Sequence, residues 1–281
     1  MSRTTEGKRQ LTGGRVAHAV LILFAAGSLF PLVWTAVAAS GTSGRLARTP
    51  PPFWFGGHLL ENLEIAWTDA NLGTALINTT VVAGSVAAGT VFFSTLAGFA
   101  FAKLRFRFRN ALLALVIGTM MVPPQLSVVP LYLLIAELSW TDRLQSVVLP
   151  GLVSAFGVFF MRQYLTGALP TELIEAARVD GAGSWRVMWH VVFPAARPAM
   201  AVLGMLTFVM AWNDFFWPII ALTQSGNPTV QVALTGLGRG YVPDQSVIMA
   251  GALLGTLPLL LAFVVFGRQI VGGIMQGAVK G

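Results

Sequence analysis

The sequence predicts an all-α, polytopic membrane protein with six transmembrane helices and one long polar loop made of short helices. Three observations predict it. Charged residues are only 10% and hydrophobic ones 55%, against roughly 25% and 45–50% in soluble domains. Several apolar runs reach the ~20 residues that a bilayer-spanning helix requires. The basic residues are spread over short connections between those runs, so topology explains the net charge of +7 better than nucleic acid does. There is no cysteine, which excludes disulfides, thiolate catalysis and zinc–cysteine sites.

Residues 1–15 form a polar tail with Arg3, Lys8, Arg9 and Arg15, and Val16 to Ala39 is the first apolar span. Ala36-Val37-Ala38 looks like a signal-cleavage site, but the run exceeds the 7–15 apolar residues of a signal core, so a retained anchor is expected. The connection that follows carries Pro50-Pro51-Pro52, Phe53-Trp54-Phe55 and Trp67. Three prolines prevent helix there, and the aromatics suit a membrane interface. These parts make residues 16–70 a first helix with its external connection.

The second span, about Ala75 to Ala102, is rich in Gly, Ala, Ser and Thr, small residues that let helices approach closely in lipid. Lys103, Arg105, Arg107 and Arg109 come next, interleaved with Phe106 and Phe108. A membrane-surface anchor is the expected role, with RNA binding as the sharper alternative. The third span, about Ala111 to Ile135, holds Pro123-Pro124 and Pro130. It is either a helix broken beside a pathway or a structural kink. A fourth span covers about Leu144 to Tyr164, a fifth about Met200 to Leu222 and a sixth about Ser246 to Phe266. A polar connection fills 223–245, and 267–281 is a tail.

Orientation follows. With the N-terminus inside, segments 1–15, 103–110, 162–198 and 267–281 hold fourteen of the eighteen Lys and Arg residues. The outer segments hold only Arg45, Arg48, Arg143 and Arg239. This is the positive-inside asymmetry, and it places both termini and the loop at 165–198 in the cytoplasm.

That loop has its own internal order. Pro170 suits a first helical position, and Glu172 and Glu175 put negative charge in the opening turns. Leu173, Ile174 and Ala177 share a face. Gly181 is the natural stop. Ser184 is expected to cap a second short helix bearing Val187, Met188 and Val191, which should end before Pro194. From these residues alone, a docking element and an ordinary surface loop are both open readings.

Glu175-Ala176-Ala177, then Gly181, then Val191-Val192-Phe193-Pro194 resembles the EAA loop of binding-protein-dependent ABC importer permeases, with Val191 and Phe193 as mild apolar departures. The likeness extends from about Asn71 to the end. Leu76-Ile77-Asn78-Thr79, Ala97-Gly98-Phe99-Ala100-Phe101-Ala102, Met121-Val122-Pro123 with Gln125, and Pro130-Leu131 look like the family's second and third spans. Trp212 to Pro218 and Gly277-Ala278-Val279-Lys280-Gly281 are similar to its carbohydrate branch, typified by the maltose permease G subunit. The resemblance implies a transmembrane domain over 71–266. It also makes the loop a cytoplasmic coupling helix, with Glu175, Ala176, Ala177, Asp180, Gly181 and Pro194 as ATPase-coupling residues. It implies an inner-membrane permease subunit of a sugar importer. The partners would be an F-type permease, two ABC ATPases carrying ATP and Mg, an extracytoplasmic sugar-binding protein and membrane lipid.

The chemistry visible in the chain agrees with a non-catalytic subunit. No G-x-x-x-x-G-K-[ST], H-E-x-x-H or G-x-S-x-G pattern occurs. No cofactor, metal or nucleic acid is expected on this chain, and His18, His58 and His190 are read as structural. Asp214, within Trp212-Asn213-Asp214-Phe215-Phe216-Trp217-Pro218, is an acid inside an apolar span and must face protein, a cavity or water. Two readings stay open: an interfacial carboxylate in an aromatic belt, or a pathway wall where Trp212, Phe216 and Trp217 stack on sugar faces while Asn213 and Asp214 bond hydroxyls. Other expectations for the whole chain are a permease for another small polar solute, a stand-alone channel or secondary carrier, and, more remotely, an intramembrane enzyme.

Overall fold

A computed structural model describes residues 3–51, 53–223, 226–238 and 243–278; Pro52, Arg239 and the ending Val279-Lys280-Gly281 lie outside the described residues. Among the described residues every regular element is helical. In chain order these are α1 (Arg3–Ala39), α2 (Ser43–Leu46), α3 (Leu59–Asp69), α4 (Leu72–Lys103), α5 (Arg109–Thr119), α6 (Val128–Glu137) and α7 (Gln145–Gly151). After them come α8 (Ala155–Ala168), α9 (Thr171–Val179), α10 (Ser184–Val187), α11 (Phe193–Trp212), α12 (Phe216–Ala221), α13 (Val230–Leu237) and α14 (Gln245–Ala278). Among the described residues five stretches are long and apolar enough to cross a bilayer: Gly14–Ala39, Leu72–Lys103, Gln145–Ala168, Ser184–Trp212 and Gln245–Val265. The pair α5 and α6 makes a sixth when counted as one span bent by 91°.

Of the two readings open for the third span, the broken helix is the one observed: Pro123 and Pro124 cannot donate N–H groups, so the chain leaves α5, makes a short 3₁₀ turn over Pro124–Ser127 and restarts as α6. Three other expectations need correcting. The fifth span is not one helix to Leu222. It stops at Trp212 and resumes as α12, so Asp214 sits in a break. The polar connection at 223–245 contains α13, a short amphipathic helix whose Val230 and Ala233 are buried. The expected tail from 267 continues the last helix through Ala278.

The chain divides into two units. The first comprises Met1–Ala70 with Gly236–Leu254. Its order comes from polar contacts around the end of α1. Asn62 of α3 donates to the carbonyls of Ala39 and Gly41 at 2.7 and 2.9 Å. The Gly56 N–H donates to the Ser40 hydroxyl at 2.7 Å. Asp244 caps α14, accepting from the Ser246 N–H at 2.8 Å and from the Ser43 hydroxyl at 2.7 Å.

The second unit comprises Asn71–Thr235 with Gly255–Gly281. The α4 helix runs through it, packed against α8 and α11. The small residues that the sequence concentrates in α4 permit this packing. At Gly98 a Cβ would stand only 2.7 Å from the Arg162 backbone nitrogen and 2.7 Å from the Met161 Cβ, so only glycine fits where α4 crosses α8. One apolar core joins Phe99 of α4 and Met161 and Leu165 of α8 to Ile174, Val187, Val192 and Leu203. A second core, around Val82, Ile135, Val147 and Leu222, ties α4 to α6, α7 and the end of α12.

Candidate functional site

The polar loop begins at Pro170, which is the N-cap of α9 rather than its first helical residue. Ile174 is buried and Ala177 half-buried against the core formed by α4 and α8, while Leu173, although adjacent in sequence, is 51% exposed. The expected shared face is therefore split: one side docks the loop onto its own spans and the other looks outward. On that outward side Val179 is 89% and Trp185 65% exposed, with Glu172, Glu175, Ala176, Arg178 and Asp180 exposed around them.

Gly181 closes α9 as the sequence leads one to expect, with φ +78°. Its N–H donates to the Arg178 carbonyl at 3.0 Å, and the Ala182 N–H donates to the Ala177 carbonyl at 2.9 Å. This pair of bonds around a left-handed glycine is the Schellman motif, which satisfies carbonyls that a helix end would otherwise leave bare.

The second half of the loop departs from expectation. Ser184 is not a cap, since the N-cap is Gly183 and makes no side-chain bond. Nor does the helix end before Pro194. Instead α10 passes through a π-helical turn at Met188–Val192 directly into α11, making one rod from Ser184 to Trp212. The physical reason is the wide turn. A proline lacks an N–H and its ring crowds the carbonyl one turn back, and a π-turn just before Pro194 relieves both faults. Glu175, Ala176, Ala177, Asp180 and Gly181 thus sit together on α9 and its turn, while Pro194 stands apart, at the foot of α11.

The second candidate group lies at the other end of that rod. Trp212 is 1% exposed and its indole N–H donates to the Gly255 carbonyl at 3.1 Å, so the ring is packed between α11 and α14. Trp217 donates to the Ser146 carbonyl at 2.9 Å and packs on the second core. The Asn213 side-chain amide donates back to the Val209 carbonyl at 2.8 Å, and the Asp214 carboxylate accepts from the Phe216 N–H at 3.1 Å where α12 begins, one residue before its N-cap Phe215. Asn213 and Phe216 are exposed and Asp214 partly so. The break at 213–215 therefore gathers these three at a surface, while the two tryptophans serve packing.

Other polar contacts at this end join residues far apart in the sequence. Asn78 and Thr79 of α4 are both buried. Asn78 donates to the Pro228 carbonyl at 3.1 Å and the Thr79 hydroxyl accepts from the Val230 N–H at 2.8 Å. They pin the start of α13 onto α4. The Asp142 N–H donates to the Ala221 carbonyl at 2.9 Å, tying the turn before α7 to the end of α12. The only sequence signal was Asn78-Thr79 as a polar pair within an apolar span.

With this geometry in place, comparison with known proteins decides the family. The profile of the binding-protein-dependent transport system inner membrane component matches residues 90–274. The chain belongs to that family. Related permeases match most of its length. The lactose transport system permease protein LacG of Rhizobium radiobacter is 31% identical over 265 residues, covering 94% of this chain and 96% of that protein. The sn-glycerol-3-phosphate transport system permease protein UgpE of Escherichia coli O157:H7 is 34% identical over 270 residues, covering 92% and 95%. In fold, the permease is similar to a chain in the crystal structure of a bacterial ABC transporter involved in the import of the acidic polysaccharide alginate. The TM-score is 0.76 at 21% identity, with 95% and 98% of the two chains covered. This permease is thus a multi-pass membrane subunit of a binding-protein-dependent ABC importer.

Proposed function

We propose that this permease forms half of a sugar or oligosaccharide pathway and takes its driving motion from a separate ATPase through the loop at 165–198. The observation that carries the reading is the loop's outward face. Leu173 on α9, Val179 at its end and Trp185 on α10 beyond the Schellman turn stand exposed, with Glu175, Arg178 and Asp180 exposed between them. Apolar anchors with a charged rim on a short helix suit a groove on a partner protein. Glu175 and the Gly181 turn fix the angle at which α9 is presented, and the rod from α10 to α11 carries the displacement into the membrane. ATP and Mg belong to the partner, so this chain binds neither and catalyses nothing. Both termini and the loop lie in the cytoplasm, and an F-type permease, two ATPases and an extracytoplasmic binding protein complete the importer.

The carbohydrate assignment is supported by the name of LacG and by exposed Asn213, Asp214 and Phe216, which pair hydroxyl-bonding groups with an aromatic ring. The name of UgpE favours a second reading, a phosphorylated polyol as cargo. The test is uptake by proteoliposomes holding the permease with its co-purified subunits and the cognate binding protein. Labelled sugar should accumulate only with ATP inside. Accumulation without ATP refutes the coupling reading, and accumulation of a polyol phosphate in place of sugar selects the second cargo.

A further inference from the structure

We propose that a groove along α4 and α11 holds one acyl chain of an anionic phospholipid, with the headgroup phosphate bound at Arg197. Two hollows of about 300 and 370 Å³ share Ala88, Val91 and Met200 and so form one groove. Its deep part is apolar, running past Gly204 and Met205 to Phe208. Its shallow part opens beside Trp189, Pro194 and Arg197.

The charge pattern selects the occupant. Among the described residues Arg197 is the only ionisable one lining either hollow, it is exposed, and no acidic side chain lines the groove beside it. A guanidinium at the mouth of an apolar slot matches a phosphate diester bearing a hydrocarbon tail, and Arg pairs with phosphate through two parallel N–H bonds. The length agrees. From Arg197 to Phe208 is roughly 16 Å at the helical rise, close to the ~15 Å half-thickness of a bilayer's hydrocarbon core. Exposed Trp189, tilted against Phe193 with ring centroids 4.7 Å apart, lines the same mouth and adds an aromatic of the kind enriched at membrane interfaces. A free phosphate would leave the deep hollow unfilled, so the ligand is the lipid. The inference is independent of the coupling role of the loop.

The experiment uses full-length permease, with its co-purified subunits, in nanodiscs of equimolar phosphatidylglycerol and phosphatidylcholine of equal chain length. Native mass spectrometry after detergent transfer counts the lipids retained. Wild type should hold phosphatidylglycerol over phosphatidylcholine by about fivefold, the weight of one cation at an anionic surface. Arg197→Gln should erase the preference and Arg197→Lys should keep most of it. Because Arg197 is exposed, neither change disturbs the core. A photoreactive side chain placed at Met200 should yield a lipid adduct. Equal retention of the two lipids by wild type, an undiminished preference in Arg197→Gln, or a polypeptide adduct at Met200 overturns the proposal.

Discussion

Replacing Gly181 separates backbone conformation from side-chain bulk, because a Cβ added there would meet nothing within 4 Å. With no neighbour to clash with, the cost of a substitution comes from holding a non-glycine residue at φ +78°. For an ordinary L-residue that is about 1–2 kcal/mol, so the turn's population relative to alternatives falls by roughly 5–30-fold. Asparagine visits the left-handed region readily and should lose little, whereas leucine, of similar size, should lose the full amount. Proline is worst. Its ring fixes φ near −65°, and it cannot make the 3.0 Å bond from residue 181 to the Arg178 carbonyl, for a loss of about 3 kcal/mol or more. The assay measures transported substrate per ATP hydrolysed in proteoliposomes, with membrane insertion followed by protease protection. The expected order is Gly, Asn, Leu, Pro, with insertion equal throughout because the site touches no span. If Asn and Leu impair transport alike, or if Pro transports normally, the argument from the turn is wrong.

Three further outcomes follow from the packing. Gly98→Leu should lower the melting temperature of the purified protein by on the order of 5 °C, since overpacking against backbone belongs at the upper end of the usual 1–3 kcal/mol; an unchanged melt would show that α4 and α8 can separate freely. Thr79→Val keeps the shape but leaves the Val230 N–H without its acceptor, a loss of about 1–3 kcal/mol, read as faster hydrogen exchange at the start of α13. At Asp244, burial pushes the carboxyl up, but hydrogen bonds from Ser43, Ser246 and Val247 outweigh it and hold it below its ordinary value. A depressed folded-state value means the stabilisation is present above the unfolded value and is lost as pH falls through the folded one. Wild type should therefore lose thermal stability on acidification through that range, and Asp244→Asn should lose less.

The spans and the first half of the loop were legible because their signals are local. Apolar length announces a membrane helix, and a glycine after Arg178-Val179-Asp180 announces a helix end. The break at Pro123-Pro124 was legible for the same reason. What escaped depends on partners distant in sequence. Nothing near Ser184 says that it lies inside a rod continuous with α11, because a π-turn has no composition of its own and Pro194 reads as a stop. Trp212 was grouped with exposed residues because its neighbours suggested a wall, yet the carbonyl of Gly255, 43 positions on, takes its N–H and draws the ring inward. Asn78 and Thr79 likewise meet partners 150 and 151 residues away, a pairing that the sequence cannot display.

The right-angled elbow between α5 and α6 carries an obligation for biogenesis. Oil offers hydrogen-bond acceptors no donors; the Thr119 carbonyl takes the Val122 N–H at 3.2 Å, but the second of two successive imino acids withholds the donor a straight helix would have given Met120. A copy of this chain left alone in the bilayer would thus carry an unsheathed joint. Its lifetime in the cell should depend on how quickly a companion, or a water-filled vestibule shared with one, closes over that corner.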